Sequence, residues 1–257
     1  MVHTVPAAAF GTNCYILSRA EGEECVIVDP GIGVADAVAD RVRRHGLSPA
    51  AILLTHGHLD HVYDVPALTR DGQPRTHIHP LDRYRLINPL GDLDRSFIAM
   101  MEAQFGTAAT WQEPHAVVEF ADAEPATPDA GTGSLAGDPR LATVQVAGLS
   151  IGVTHAPGHT EGSVLFTIGS VPDGLSEQGH GFDGAGVDRT VLSGDVLFAG
   201  SIGRTDLPGG DAALMARSLR DVVLPLPDSS LVLPGHGPAT TMAAERRSNP
   251  YLQRPLV

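Results

Sequence analysis

Apolar positions in the first half of the chain recur with two alternating periods. The stretches 13–17 and 25–28 are short apolar runs of strand type, and the second ends in the turn signal Asp29-Pro30-Gly31. Val34, Val38 and Val42 then fall at i, i+4 and i+8, with Gly46 as a stop, which predicts an amphipathic helix over about 34–45. Ile52-Leu53-Leu54 reads as a buried strand running straight into Thr55-His56. A helix is expected near 65–70 and a strand over about 76–79, after which His79-Pro80 opens a further helix. Over 92–106, Phe97, Met100, Met101 and Phe105 predict a helix whose apolar stripe faces the core or walls a groove.

The pattern then breaks. Residues 121–140 are rich in Ala, Asp, Pro and Gly, with Leu135 as their single large apolar residue, and 172–188 carry five glycines. Both stretches read as exposed insertions. Around them the second half is strand-rich, with runs at 142–146, 149–154, 163–168 and 190–192. A helix over 211–223 places Met215, Leu219 and Val222 on one face, and a strand at 231–233 and a short helix at 241–247 follow. Each half runs strands first and helices after, an order met by two packed sheets with helices on their outer faces. No linker separates the halves, so the expectation is one α/β domain over 1–257, internally pseudo-duplicated.

Composition narrows the chemistry. All 17 basic residues are arginine, which excludes Schiff-base, pyridoxal-phosphate, Walker-type and protein-kinase chemistry, since each needs a lysine. A formal net charge of -13 disfavours nucleic acid and anionic membranes as partners. Cys14 and Cys25 lie in apolar strand runs and read as buried free thiols. Without a signal-peptide pattern or an apolar run of spanning length, the chain reads as soluble and cytoplasmic, a monomer or homodimer.

Against zero lysines stand 12 histidines, three of them in His56-Gly57-His58-Leu59-Asp60-His61. Imidazole and carboxylate in such a cluster suit Zn²⁺, with Fe and Mn also compatible. Three further candidates each follow an apolar strand and lie in a Gly-rich turn: His159, Asp195 and His236. Strand ends hold side chains rigidly, and the glycines let the backbone turn tightly beside a metal. Counting ligands gives two divalent ions: His56, His58 and His159 on the first, Asp60, His61 and His236 on the second, with Asp195 and a water or hydroxide bridging them. Asp29 and Thr55 are candidates to fix imidazole tautomers, while His77, His79 and His155 are weaker candidates and His3, His45 and His115 read as structural or surface residues.

The H-x-H-x-D-H run, the later Gly158-His159-Thr160, Ser193-Gly194-Asp195 and Pro234-Gly235-His236-Gly237 together resemble the metallo-β-lactamase superfamily. The resemblance implies a four-layer αββα sandwich with the metals at one edge between the sheets. The segments Gly200-Ser201-Ile202-Gly203-Arg204-Thr205-Asp206 and Glu245-Arg246-Arg247-Ser248-Asn249-Pro250 look like the short glyoxalase II-like hydrolases. That likeness implies hydrolysis of an anionic S-2-hydroxyacyl thioester through a metal-bridging hydroxide, with Asp60 orienting the nucleophile or shuttling its proton. Arg204 matches the basic position of the glutathione site and is the candidate to hold a substrate carboxylate. The aromatic residue and the C-terminal helical domain of that site have no counterpart here, so the thiol carrier is left open. The related persulfide dioxygenases, with one iron on His56, His159 and Asp195, and lactonases on the dinuclear site are the alternatives.

Overall fold

A computed structural model of the chain describes residues 1–91, 111–120, 141–171 and 186–253, together with 99 and 103. Apart from 99 and 103, which are helical, the helix expected over 92–106 lies outside the described residues, as do the insertion at 121–140 and most of that at 172–188.

The described strands form two six-stranded sheets. The first runs in sequence order: β1 Val2–Pro6, β2 Asn13–Ser18, β3 Glu24–Val28, β4 Ser48–Leu53, β5 Arg75–Ile78 and β6 Val117–Glu119. It is antiparallel from β1 to β3 and parallel from β3 to β6. The second comprises β7 Leu141–Val146, β8 Leu149–His155, β9 Val164–Ile168, β10 Arg189–Gly194, β11 Ser230–Pro234 and β12 Thr240–Thr241, again in sequence order. Its one parallel pair is β10–β11.

Side-chain alternation explains the layers. In a strand, successive side chains point to opposite faces. Tyr15, Leu17, Val26, Val28 and Leu53 join Phe166, Leu192, Leu231 and Leu233 in one core between the sheets. Their strand neighbours Ile16, Ile27, Ile52 and Leu54 pack outward, with Val34, Val38, Val62, Val65 and Leu86. Those residues belong to or flank α1 Ala35–Arg44, α2 Leu59–Val62, α3 Val65–Leu68 and a 3-10 helix at Pro80–Leu86. On the far side Leu165, Val191 and Val232 pack with Met215, Leu219, Val223, Met242 and Leu252. The helical residues there come from α4 Ala212–Ser218, its π-helical continuation Leu219–Val223, α5 Met242–Ser248 and α6 Pro250–Gln253. Strands covered on both faces read as continuous apolar runs rather than alternating ones, which is how 13–17 and 25–28 appear in the sequence. The αββα order expected of the chain is therefore present.

The helix expected over 211–223 is α4 with its π-helical end, and that over 34–45 is α1. Strands β1, β6 and β12 were not expected. Cys14 and Cys25 are buried and unbonded, and burial raises both thiols, Cys25 to about 12. Among the described residues no helix is long and apolar enough to cross a membrane.

Candidate metal centre

Four strand ends meet at one edge of the sandwich. The turn after β4 carries His56 and His58, the α2 helix that it opens carries Asp60 and His61, the turn after β8 carries His159, and Asp195 and His236 follow β10 and β11. These seven residues form three interlocking groups: His56, His58 and His159; His56, His61 and Asp195; and Asp60, His61 and His236. Within each group the ligand atoms lie within 4.8 Å of one another. His58 Nδ1 stands 2.9 Å from His159 Nε2, and His61 Nε2 stands 3.2 Å from His236 Nε2 and 3.3 Å from Asp195 Oδ1.

The partners of these rings decide where their protons sit. A carbonyl only accepts, so His159 Nδ1 donates to Arg204 O at 2.8 Å and His236 Nδ1 donates to Phe10 O at 3.1 Å. His61 Nδ1 donates to Asp29 Oδ2 at 3.0 Å. Thr55 Oγ1 donates to the same oxygen at 2.6 Å and accepts from His56 Nδ1 at 3.1 Å. In the neutral ring one nitrogen donates and the other accepts, so the Nε2 lone pairs of all four rings are left facing inward. His56 Nε2 and Asp195 Oδ1 are buried there without a hydrogen-bond partner. Lone pairs crowded together with orphaned buried acceptors are unfavourable unless a cation sits among them, and the donor set of imidazole and carboxylate is that of divalent transition ions.

The electrostatics agree. Burial, with His61 beside it, pushes the His56 imidazolium well below the ordinary histidine range, and burial with His159 pushes His58 down to about 3. Both are neutral at physiological pH, as imidazoles that bind a metal must be. Burial also opposes a charge on His61 and His236, but the Asp195 and Asp60 carboxylates outweigh it and raise both, so these two rings keep a proton unless a cation faces the carboxylates in its place. Burial raises Asp60 too, and His61 and His236 overcome it to leave the group well below the usual carboxylate range. Asp60 is therefore an acceptor at neutral pH. It takes a 3.0 Å hydrogen bond from Thr12 Oγ1, and with His58 and His236 it forms the half-buried side of the cluster.

Other residues hold the loops. Asn13 Nδ2 donates to Pro234 O and Gly237 O, and Tyr15 OH donates to Pro234 O at 2.7 Å, so β2 of the first sheet grips the His236 turn of the second. Asp82, fully buried in the 3-10 helix, was not singled out from the sequence. It accepts from Gly57 N–H at 2.8 Å, Thr160 Oγ1 at 2.7 Å and Gly162 N–H at 2.8 Å, joining the His56–His58 turn to the His159 turn. A lone carboxylate at no diagnostic spacing gives no sequence signal beyond its place in a mainly apolar, helix-opening stretch.

Arg204 lies beside the centre, but its guanidinium is engaged. Its Nε and Nη2 donate to Asp206 at 2.7 and 2.8 Å, and the pair is exposed. His155 Nε2 donates to Glu161 O at 2.7 Å and its ring stacks on His79 at 4.1 Å, so neither joins the cluster. His77 stacks on Phe120, His3 stacks on His45, and His115 is exposed.

The chain matches the Metallo-beta-lactamase superfamily over residues 7–173. An uncharacterized protein of Mycobacterium tuberculosis is 38% identical over 248 residues, 96% of each chain. Hydroxyacylglutathione hydrolase GloC of Haemophilus influenzae is 29% identical, across 98% of this chain and 97% of its own. Two solved structures align over the whole of their own chains: the BLEG-1 B3 metallo-beta-lactamase (30% identity, 99% of this chain, TM-score 0.69) and a di-iron-bound form of TTHA1623 (32%, 97%, 0.63). The family match spans well over half of the chain, the relatives extend it to nearly all, and the sandwich carries its histidine and aspartate cluster at the sheet edge: this protein belongs to the metallo-beta-lactamase superfamily.

Proposed function

We propose that this metal-dependent hydrolase cleaves a thioester of the S-2-hydroxyacyl-thiol type at a dinuclear centre. His56, His58 and His159 would hold one ion, Asp60, His61 and His236 the other, and Asp195 would serve both. The observation that carries the reading is the pair of complete three-residue groups on either side of Asp195. A mononuclear iron dioxygenase on His56, His159 and Asp195 would have no need of the Asp60–His61–His236 group. The similarity to GloC supports a thioester over other acyl substrates.

Divalent ions held there supply Lewis acidity, making a nucleophile from water near neutral pH and polarising a substrate carbonyl. The chain's own residues do the rest. Asp60, ionised and facing the opening, accepts a proton from, and orients, the attacking water. Thr12 Oγ1, donating to Asp60 Oδ2, fixes the orientation of that carboxylate. Arg204 exchanges Asp206 for a substrate carboxylate; an exposed ion pair contributes little to stability, so the exchange is easy. Carboxylate binding by a planar guanidinium is bidentate, as the Asp206 contact already is.

The test is thiol release from S-lactoylglutathione by protein of measured metal content. Two equivalents of zinc, iron or manganese per chain with turnover support the reading, and the Arg204→Ala variant then raises KM more than it lowers kcat. No thiol release above background with both ions bound overturns it. Oxygen uptake with glutathione persulfide, or turnover restricted to lactones, replaces it with the corresponding alternative.

A further inference from the structure

Glu245 of α5 and Asn249, which caps its C-terminus, contribute nothing to the seven-residue cluster, yet both are buried polar groups aimed at the loop beside it. Glu245 Oε2 accepts from Gly200 N–H at 2.8 Å and from Asn249 Nδ2 at 2.9 Å, and Oε1 accepts from Thr240 Oγ1 at 2.7 Å. Asn249 Nδ2 also donates to Ser201 O at 3.0 Å. Residues one helical turn apart thus bind one donor and one acceptor of the same tight turn, which closes through Phe198 N–H on Ser201 O at 3.0 Å. Charge-assisted bonds to a buried carboxylate are among the stronger ones a protein makes.

The turn leads directly to the cluster. Gly203 passes so close that a Cβ there would run into the Asp195 carbonyl oxygen and stand 3.0 Å from His159 Nδ1. One residue on, the Arg204 carbonyl takes the His159 Nδ1 proton at 2.8 Å. That bond sets the tautomer of His159 and turns its Nε2 toward His58 and Asp195. The chain from Gly200 to Arg204 is five residues long, anchored at one end by Glu245 and Asn249 and used at the other to orient a candidate ligand.

We propose that Glu245 and Asn249 are positioning residues for the metal centre, acting through the 198–204 loop and the Arg204 carbonyl on His159. The proposal rests on the cluster being a metal site, and the test separates the two. Zn²⁺ and Co²⁺ affinities are measured by competition with a colorimetric chelator, and the Co²⁺ absorption spectrum is recorded, for the wild-type chain and for Glu245→Ala, Glu245→Gln and Asn249→Ala. Groups that orient a ligand cost about 10–100-fold in metal affinity when removed. Glu245→Ala is expected to weaken one equivalent about tenfold and to shift the Co²⁺ bands. Glu245→Gln is expected to restore both, because its carbonyl oxygen can accept from Gly200 and Asn249 while its amide donates to Thr240. A loss of turnover from general loosening would not produce that rescue. If Glu245→Ala does not fold, Asn249→Ala, which keeps the Thr240 and Gly200 bonds, carries the same expectation. Wild-type affinity and spectrum in the folded alanine variants overturn the proposal, as does a Glu245→Gln variant no better than Glu245→Ala. A wild-type chain that binds neither ion overturns the metal site itself and this proposal with it.

Discussion

At the scale of single residues, Asp29 shows how little tolerance such a centre has. Its Oδ1 accepts from Thr55 N–H at 2.8 Å, and its Oδ2 accepts from both Thr55 Oγ1 and His61 Nδ1. An amide of the same shape has only one accepting oxygen. In Asp29→Asn the NH2 group must face either the buried Thr55 N–H or the His61 ring. The first leaves a buried donor opposed; the second forces the His61 proton onto Nε2, among the ligand atoms. Either way metal affinity is expected to fall about 10–100-fold despite the conservative exchange, measurable by chelator competition. An affinity within twofold of wild type would mean that something other than Asp29 orients His61. The seven cluster residues and the Asp29–Thr55 pair were legible in the sequence, because a ligand must follow a strand end in a turn of small residues. Asp82, Glu245 and Asn249 were not read as site residues. Each works through partners 25 to 80 positions away, or through a backbone N–H or carbonyl, and neither a distant partner nor a backbone group leaves a spacing to read.

At the scale of elements, periodicity located most of the described strands and helices and missed β1 and the two shortest strands. Strand β6 has three residues and β12 two, too few to show a period of two, and both exist because a neighbouring strand offers its edge. A helix was expected to open at His79-Pro80; it is a 3-10 helix, and His79 does cap it, accepting from Leu81 N–H through Nδ1 at 3.3 Å. That cap ties the element to pH. Burial, with His155 stacked beside it, pushes His79 down to about 4. The unfolded chain takes up the proton near 6.5, the folded one only near 4, so between these values the unfolded state holds more protons and stability rises with pH. The His79 contribution is complete above about pH 6.5 and is lost as the pH falls toward 4. His79→Asn keeps an accepting cap and removes the titration. Thermal melts of chelator-treated protein from pH 4 to 7 are expected to show a shallower acid slope for the variant. Parallel slopes would assign the acid sensitivity to other groups.

At the scale of the whole molecule, the apolar runs could say that strands are buried on both faces, but not which sheet each joins. The fold was legible through the family resemblance that the four histidine and aspartate turns carry, and those same turns bring the two sheets together at one edge. The first sheet supplies four of the seven cluster residues from the end of β4, and the second supplies three from the ends of β8, β10 and β11. An ion held by this set binds the native sandwich and has no equivalent site in the unfolded chain, so its binding adds to folding stability. At free metal 100-fold above the dissociation constant, each ion contributes about 2.7 kcal/mol, and the contribution grows with metal concentration. Calorimetry is therefore expected to show a midpoint that rises with added Zn²⁺ and falls on chelation. His61→Ala, which removes a residue from two of the three groups, is expected to lose most of that dependence. Arg204→Ala, whose side chain points into solvent, is expected to keep it. A midpoint indifferent to chelator in the wild-type chain would mean that the two sheets are held by their common apolar core alone, and that the cluster at their edge does not bridge them energetically.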